Sequence, residues 1–315
     1  MFEELKTRLE GCFYTIFAPF DENLEIDYIS LEKYLHFLYS KGASSFYAMA
    51  YNSRYSQMKH SEIKAFNEFC IKVVKNLNHK NIIIVGDPIH CSTDESLEFT
   101  VHAKENGADL ISLIVREKYF SDEQILEHFQ YIGEKSAFPI LVHEMPFLSG
   151  YNGQQMHWPQ SLLQSLKKNP YIVALKEDAK NFEITSQALK LEPDIRIIIA
   201  GTKRSFMNYK DLGALAYLNG ISIIEPRIGE LFWESYKNSD QNTIDFILAE
   251  WEDPFFNEVV SKYGWHRCNK ALLQAAGLMH RRERMPLKAL SEIEFEDIRR
   301  VYSKISNSIE SHFSQ

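Results

Sequence analysis

The stretch YIVALKED, residues 171–178, drives a lysine into the end of a run of apolar and β-branched residues and follows it at once with two acids. A buried ammonium is costly unless it finds a partner, and burial lowers its pKa. Two chemistries therefore fit Lys176. In one it pairs with Glu177, Asp178 or another acid and stays charged. In the other it is held neutral as a nucleophile that condenses with a carbonyl. Bringing a lysine from about 10.4 to about 7 corresponds to roughly 4–5 kcal/mol in favour of the neutral form. Partial burial with a neighbouring cation, Arg116 or Lys203, would supply that preference, whereas a carboxylate holding the nitrogen would oppose it.

The elements that must position this lysine recur along the chain. Short apolar runs stand at 13–17, 46–50, 82–86, 109–115, 138–142, 171–175, 195–200 and 213–218. Several are continuous rather than alternating, as befits strands covered on both faces. Helical patterns separate them. Ile29, Tyr34, Leu35 and Leu38 form a stripe that closes at Gly42, Thr93 is placed to cap a helix ending at Gly107, and Ser121 with Gln124 has capping-box spacing. Eight strand–helix repeats predict an α/β fold, a (β/α)8 barrel, over residues 1–226. The seventh repeat leaves room for only a short helix. Residues 227–315 read as helices packed on the barrel within one domain.

In such a barrel the chemistry gathers at the C-terminal ends of the strands. Strand alternation turns Ile172, Ala174 and Lys176 inward and Val173 and Leu175 toward the helices. The fifth strand ends in His143, with Glu144 facing away or in the loop. The fourth ends near Arg116 and Glu117, the second near Tyr51 and Asn52, while Lys203 follows the seventh and Asn219 ends the eighth. Such a mouth suits an anionic small molecule.

Other classes find little support. With 35 basic and 43 acidic residues, a net charge of -8 offers no nucleic-acid footprint. HRRER (280–284) is the one dense basic run and reads as solvated surface or an intersubunit patch. No run approaches the roughly 18 apolar residues of a membrane span, and the N-terminus reads as a charged amphipathic segment, not a secretory signal. Cys12, Cys70, Cys91 and Cys268 are scattered without CxxC spacing, which fits reduced thiols in the cytoplasm. A metal centre would need His143, Glu117, Asp87 and His90 to converge, and neither they nor WHRC with His280 have ligand spacing, so no metal or other cofactor is expected.

The order of several stretches resembles the dihydrodipicolinate synthase / N-acetylneuraminate lyase family of class I aldolases from about Gly11 to Ile224. FAPF (17–20), KGASSFYAMAYNSRYSQM (41–58), HFQYIGEKSAFPILVHEMP (128–146), YIVALKED and AGTK (200–203) carry the resemblance. It implies a barrel with C-terminal helices, commonly tetrameric, and an imine between Lys176 and a 2-oxo acid, usually pyruvate, followed by aldol addition or cleavage. The sequence departs from the family at the site. The proton-relaying tyrosine falls at His143 and the asparagine after it at Glu144. The two carboxylate-binding threonines fall at Tyr51 and Asn52, and their flanking glycines at Ala50 and Ser53. A tyrosine pair falls at Arg116 and Glu117, and an arginine that grips a second carboxylate falls at Leu148.

These residues assign Lys176 to the imine and His143 to proton shuttling. Tyr51, Asn52, the 51–53 backbone N–H groups and Arg116 are the candidates for holding the carboxylate, and Glu117, Glu144, Lys203 and Asn219 for shaping the distal pocket. The expected substrate is a 2-oxo acid other than pyruvate in its usual pose, such as a sugar acid, handled by a homo-oligomer, a dimer or tetramer. Dehydration of a 2-oxo-3-deoxy sugar acid through the same imine, and a catalytically inactive metabolite-binding barrel, are the alternatives.

Overall fold

A computed structural model describes residues 2–115, 120–146 and 156–314. Eight parallel strands close into a barrel in chain order: β1 Gly11–Thr15, β2 Ser45–Ala48, β3 Ile82–Gly86, β4 Leu110–Leu113, β5 Ile140–His143, β6 Ile172–Glu177, β7 Arg196–Ile199 and β8 Ala216–Leu218. All eight apolar runs thus become strands, and β1 closes the ring by pairing Gly11 with Ala216 and Phe13 with Leu218. Every strand residue is buried. Strands covered on both faces must be apolar throughout, which is why their signal was continuous.

The chain divides into two compact units, Met1–Phe13 with Ser44–Leu218, and Tyr14–Ala43 with Asn219–Gln315. The first holds the barrel. Its interior is filled by Phe13, Tyr47, Ile84, Leu141, Ala174, Ile198 and their neighbours. Helix starts follow local chemistry. Ser121 and Gln124 form the expected capping box of helix Asp122–Ser136. The cap of Thr93–Glu105 is Ser92, not Thr93, because Ser92 and Glu95 bond each other's backbone N–H reciprocally. The seventh repeat is indeed short, a helix at Lys203–Met207 and a 3-10 turn at Lys210–Leu212.

One local feature departs from simple alternation. Ile140 pairs with Ile172 but Leu141 pairs with Ala174, so Val173 is an extra residue in β6. Val173 and Ala174 both reach the interior, where alternation predicted Ile172 and Ala174.

The second unit is helical, with Tyr28–Ser40, Arg227–Lys237, Gln241–Phe246, Trp265–Ala275 and Glu292–Phe313 as its main helices. Leu31, not Ile29, joins Tyr34, Leu35 and Leu38 on the buried stripe, and Ile29 is exposed. The HRRER run is no solvated patch. Arg281 is buried and donates to the Leu290 carbonyl, Gln274 and Glu292, while Arg284 donates to the Leu24 carbonyl and covers the Phe20 ring. Glu283 meets His266 Nε2 at 2.8 Å. The run is an internal strap, its fork-shaped donors matched to carbonyls and carboxylates.

Candidate active site

Lys176 ends up where alternation along β6 sends it, inside the barrel above Ala174. His143 is its register partner on β5, at the same level. The lysine is fully buried, and its Nζ donates to Asp178 Oδ2 at 2.7 Å. Residues 176 and 178 lie on the same side of the extended chain, so the carboxylate hangs directly over the amine. Of the two chemistries open to Lys176, the structure shows the acid pairing, and among the described residues the cation beside the pair is Lys180, 3.9 Å from Asp178 Oδ1.

Burial nonetheless wins. Loss of water drives the lysine pKa below its ordinary value, Asp178 opposes, and Lys180 adds to the downward push. The physical reason is that a buried pair regains by attraction only part of the hydration it loses. An ion pair held there lies closer in free energy to its neutral form, amine plus carboxylic acid, than the same pair in water.

Glu177 points the other way. It accepts from Thr185 Oγ1 at 2.7 Å and from the Ala179 N–H at 2.6 Å, and burial pushes it up to about 7. Its partners are thus neutral groups, not a base. Glu144, just past β5, is buried and accepts from the Trp158 N–H at 2.8 Å.

Around the lysine the sequence hid a polar layer. Tyr47 of β2 stands in the interior, its hydroxyl 2.5 Å from Ser112 Oγ of β4 and its ring 6.4 Å from that of His143. Burial pushes the Tyr47 phenol up, with the Asp87 and Asp178 carboxylates adding to the shift. Asp87, just past β3, is fully buried. It accepts from Ser96 Oγ at 2.8 Å and from the Ile114 N–H at 3.3 Å, and burial raises it to about 7. Tyr47 and Ser112 sat in apolar runs and Asp87 in a turn. Only the parity of strand positions, applied to every polar residue, would have found them.

Of the remaining predicted residues, Tyr51, Asn52 and Lys203 belong to the first unit and Asn219 to the second. Tyr51 packs against the barrel interior with the Arg54 guanidinium 4.5 Å from its ring, and Asn52 is buried beside it. The Ser53 N–H donates to the Met49 carbonyl at 2.9 Å. Lys203 is buried at the first turn of its helix. Asn219 belongs to the second unit, where its amide accepts from Thr15 N–H and Oγ1 at 2.9 and 3.0 Å and donates to the Gly220 carbonyl. Arg116, Glu117 and Leu148 lie outside the described residues.

A cavity of about 500 Å³ opens beside the ends of β3 and β4, lined by His90, Cys91, Thr93, Ile114, Phe120 and His128 among others. Lys176 is not on its wall, so this is not the mouth that the sequence suggested. Burial pushes His128 down to about 4, and its Nδ1 lies 3.0 Å from Thr93 Oγ1. All four cysteines are free thiols. Among the described residues no cluster of His, Cys, Asp and Glu has metal-binding geometry, and no helix is long and apolar enough to cross a membrane.

A closed eight-stranded parallel barrel with an inward lysine near the end of β6 and C-terminal helices defines an aldolase-type architecture. The chain belongs to the dihydrodipicolinate synthetase family, whose model matches residues 8–305. It is similar to the 4-hydroxy-tetrahydrodipicolinate synthase of Magnetococcus marinus, 23% identical over 305 residues, covering 94% of this chain and 98% of that one. It is also similar to an uncharacterised DapA-like lyase of Pyrococcus furiosus, 23% identical, over 74% of this chain and 76% of that one. The dihydrodipicolinate synthase structure from Aquifex aeolicus superposes with a TM-score of 0.81 at 20% identity, covering 94% of this chain and 98% of that one. That from Oceanobacillus iheyensis gives 0.83 at 17% identity, covering both chains completely. Membership makes this chain an enzyme, a divergent Schiff-base lyase of the class I aldolase type acting on a small molecule.

Proposed function

We propose that the protein cleaves or forms a carbon–carbon bond next to a 2-oxo acid through an imine at Lys176. The carrying observation is the inward, fully buried lysine of β6 in register with His143. The amine attacks the ketone, water leaves, and the protonated imine becomes an electron sink for the bond that breaks. His143, at the same level of the barrel, is the group for moving protons between substrate hydroxyl, imine and solvent. Tyr51, Asn52 and Arg116 stand for the substrate carboxylate, with Glu117, Glu144 and Lys203 for the distal end. Leucine at position 148 and the absent threonine pair argue for a 2-oxo acid other than the synthase pair, such as a 2-oxo-3-deoxy sugar acid. Loss of a C4 hydroxyl as water uses the same imine and remains the alternative. We also propose that the enzyme works in the cytoplasm as a homo-oligomer, a dimer or tetramer.

Borohydride trapping with pyruvate and with a panel of 2-oxo-3-deoxy sugar acids tests the reading. A reduced adduct located at Lys176 by mass spectrometry supports it. No adduct with any 2-oxo acid refutes it and leaves a binding barrel. Product analysis then separates cleavage from dehydration.

A further inference from the structure

The ion pair at the end of β6 raises a question that family membership does not answer. Lys176 Nζ meets Asp178 Oδ2 at 2.7 Å, and both side chains are nearly closed to solvent. A protonated amine cannot attack a carbonyl. The nitrogen must lose a proton before chemistry starts, and a group must be in contact to take it.

The surrounding acids and bases can be assigned by where they point. Glu177 is on the opposite face of the strand, engaged by Thr185 and the Ala179 N–H. Asp87 is engaged by Ser96 and the Ile114 N–H. The Tyr47 hydroxyl is engaged by Ser112. His143 is level with the lysine on the neighbouring strand. The Asp178 carboxylate is in direct contact with the amine, and its other oxygen lies 3.9 Å from the exposed ammonium of Lys180. It is also the more exposed member of the pair, so it lies on the rim side of the nitrogen.

We propose that Asp178 is a catalytic acid–base of imine formation, a role that rests on Lys176 being the imine-forming residue. The ammonium passes a proton from Nζ to Oδ2, leaving an amine and a carboxylic acid. The nitrogen lone pair attacks the ketone carbon and the carbonyl π electrons move to oxygen, which takes the proton from Asp178. The carboxylate then removes a second proton from the nitrogen and delivers it to the carbinolamine hydroxyl. The carbon–oxygen bond breaks, the nitrogen lone pair forms the new double bond, and water leaves. Two of the three ammonium hydrogens depart with the ketone oxygen, so no outside acid or base is consumed. The step ends with a protonated imine facing a carboxylate, the same charges as at the start, so the buried site keeps its neutrality throughout.

A mere counter-ion role makes the opposite prediction, which is what gives the test its force. Without the carboxylate, burial and Lys180 would leave Lys176 more neutral at pH 7, and trapping would speed up. The experiment measures the rate of borohydride-trapped adduct at Lys176, with the 2-oxo acid that labels the wild-type enzyme, in Asp178→Asn and Asp178→Ala. An acid–base role predicts about a 100-fold slower rate at pH 7 in both, and a rate in Asp178→Ala that rises linearly with added formate. An unchanged or faster rate in Asp178→Asn overturns the assignment, because the carboxylate would then be only a counter-ion. Slow trapping in both variants with no response to formate also overturns it, as that is what a structural loss gives. Absence of any adduct in the wild type removes the imine reading itself, and the role of Asp178 with it.

Discussion

His143 and Lys176 are register partners on β5 and β6, and both side chains enter the barrel at one level. Strand pairing, not a flexible loop, sets their separation. A group fixed this way keeps its geometry through turnover, as acid–base chemistry at an imine requires.

Replacing His143 with Gln should therefore separate two steps. Imine formation at Lys176 should still be trapped, while kcat on the productive substrate should fall by about 100- to 1,000-fold. Steady-state rates beside trapping yields check this. Equal losses in both would mean that His143 only supports the lysine.

Glu177 ties stability to pH. Its carboxyl is raised from 4.5 to about 7 by burial, so the folded state holds a proton that the unfolded chain has released in that window. The sign is then fixed. The contribution is present below about 4.5 and is lost as pH rises toward 7, at a ceiling of about 3 kcal/mol. Asp87, raised from 3.8 to about 7, acts with the same sign. Urea unfolding of the wild type and Glu177→Gln at pH 5 and pH 8 should show a smaller difference between the two pH values in the variant. Parallel slopes would count against burial as the cause.

Gly133 is a packing test. A Cβ there would stand 2.5 Å from Tyr171 Cδ2 and 2.8 Å from Tyr171 Cβ. Gly133→Ala ordinarily strengthens a helix. Here overpacking should reverse that and cost about 1–3 kcal/mol, read from the urea midpoint. A stabilised variant would mean that Tyr171 moves aside freely.

Asn219 offers a third stability measurement. Asn219→Ala would strip the acceptor from the Thr15 N–H and hydroxyl, all buried, and should destabilise by about 1–3 kcal/mol. Asn219→Asp keeps the acceptor and should recover part of the loss in thermal melts.

The architecture was legible because each strand needed an apolar, β-branched run, and eight such runs admit few closed arrangements. Lys176 was legible for the converse reason, as a charge where the pattern called for a hydrophobe. Tyr47 and Ser112 were not, since a tyrosine and a serine within a strand look like ordinary core. Asp178 was visible only as one acid among several possible partners. Which acid closes on the nitrogen depends on the strand's direction and on where its last pleat falls, and neither is written in residue types. The HRRER run misled as solvated surface because basic clusters usually face water, while here backbone carbonyls, Gln274 and the surface acid Glu292 receive its arginines.

The extra residue at Val173 has a consequence for how such an enzyme can change over time. Because Val173 is the surplus residue, losing it would leave Ala174 opposite Leu141 and Lys176 opposite His143, with the reactive nitrogen still inside. A deletion after Ala174, in the stretch with no surplus, would instead turn the nitrogen toward the opposite wall. This strand can therefore shed a residue at its base but not next to its nucleophile.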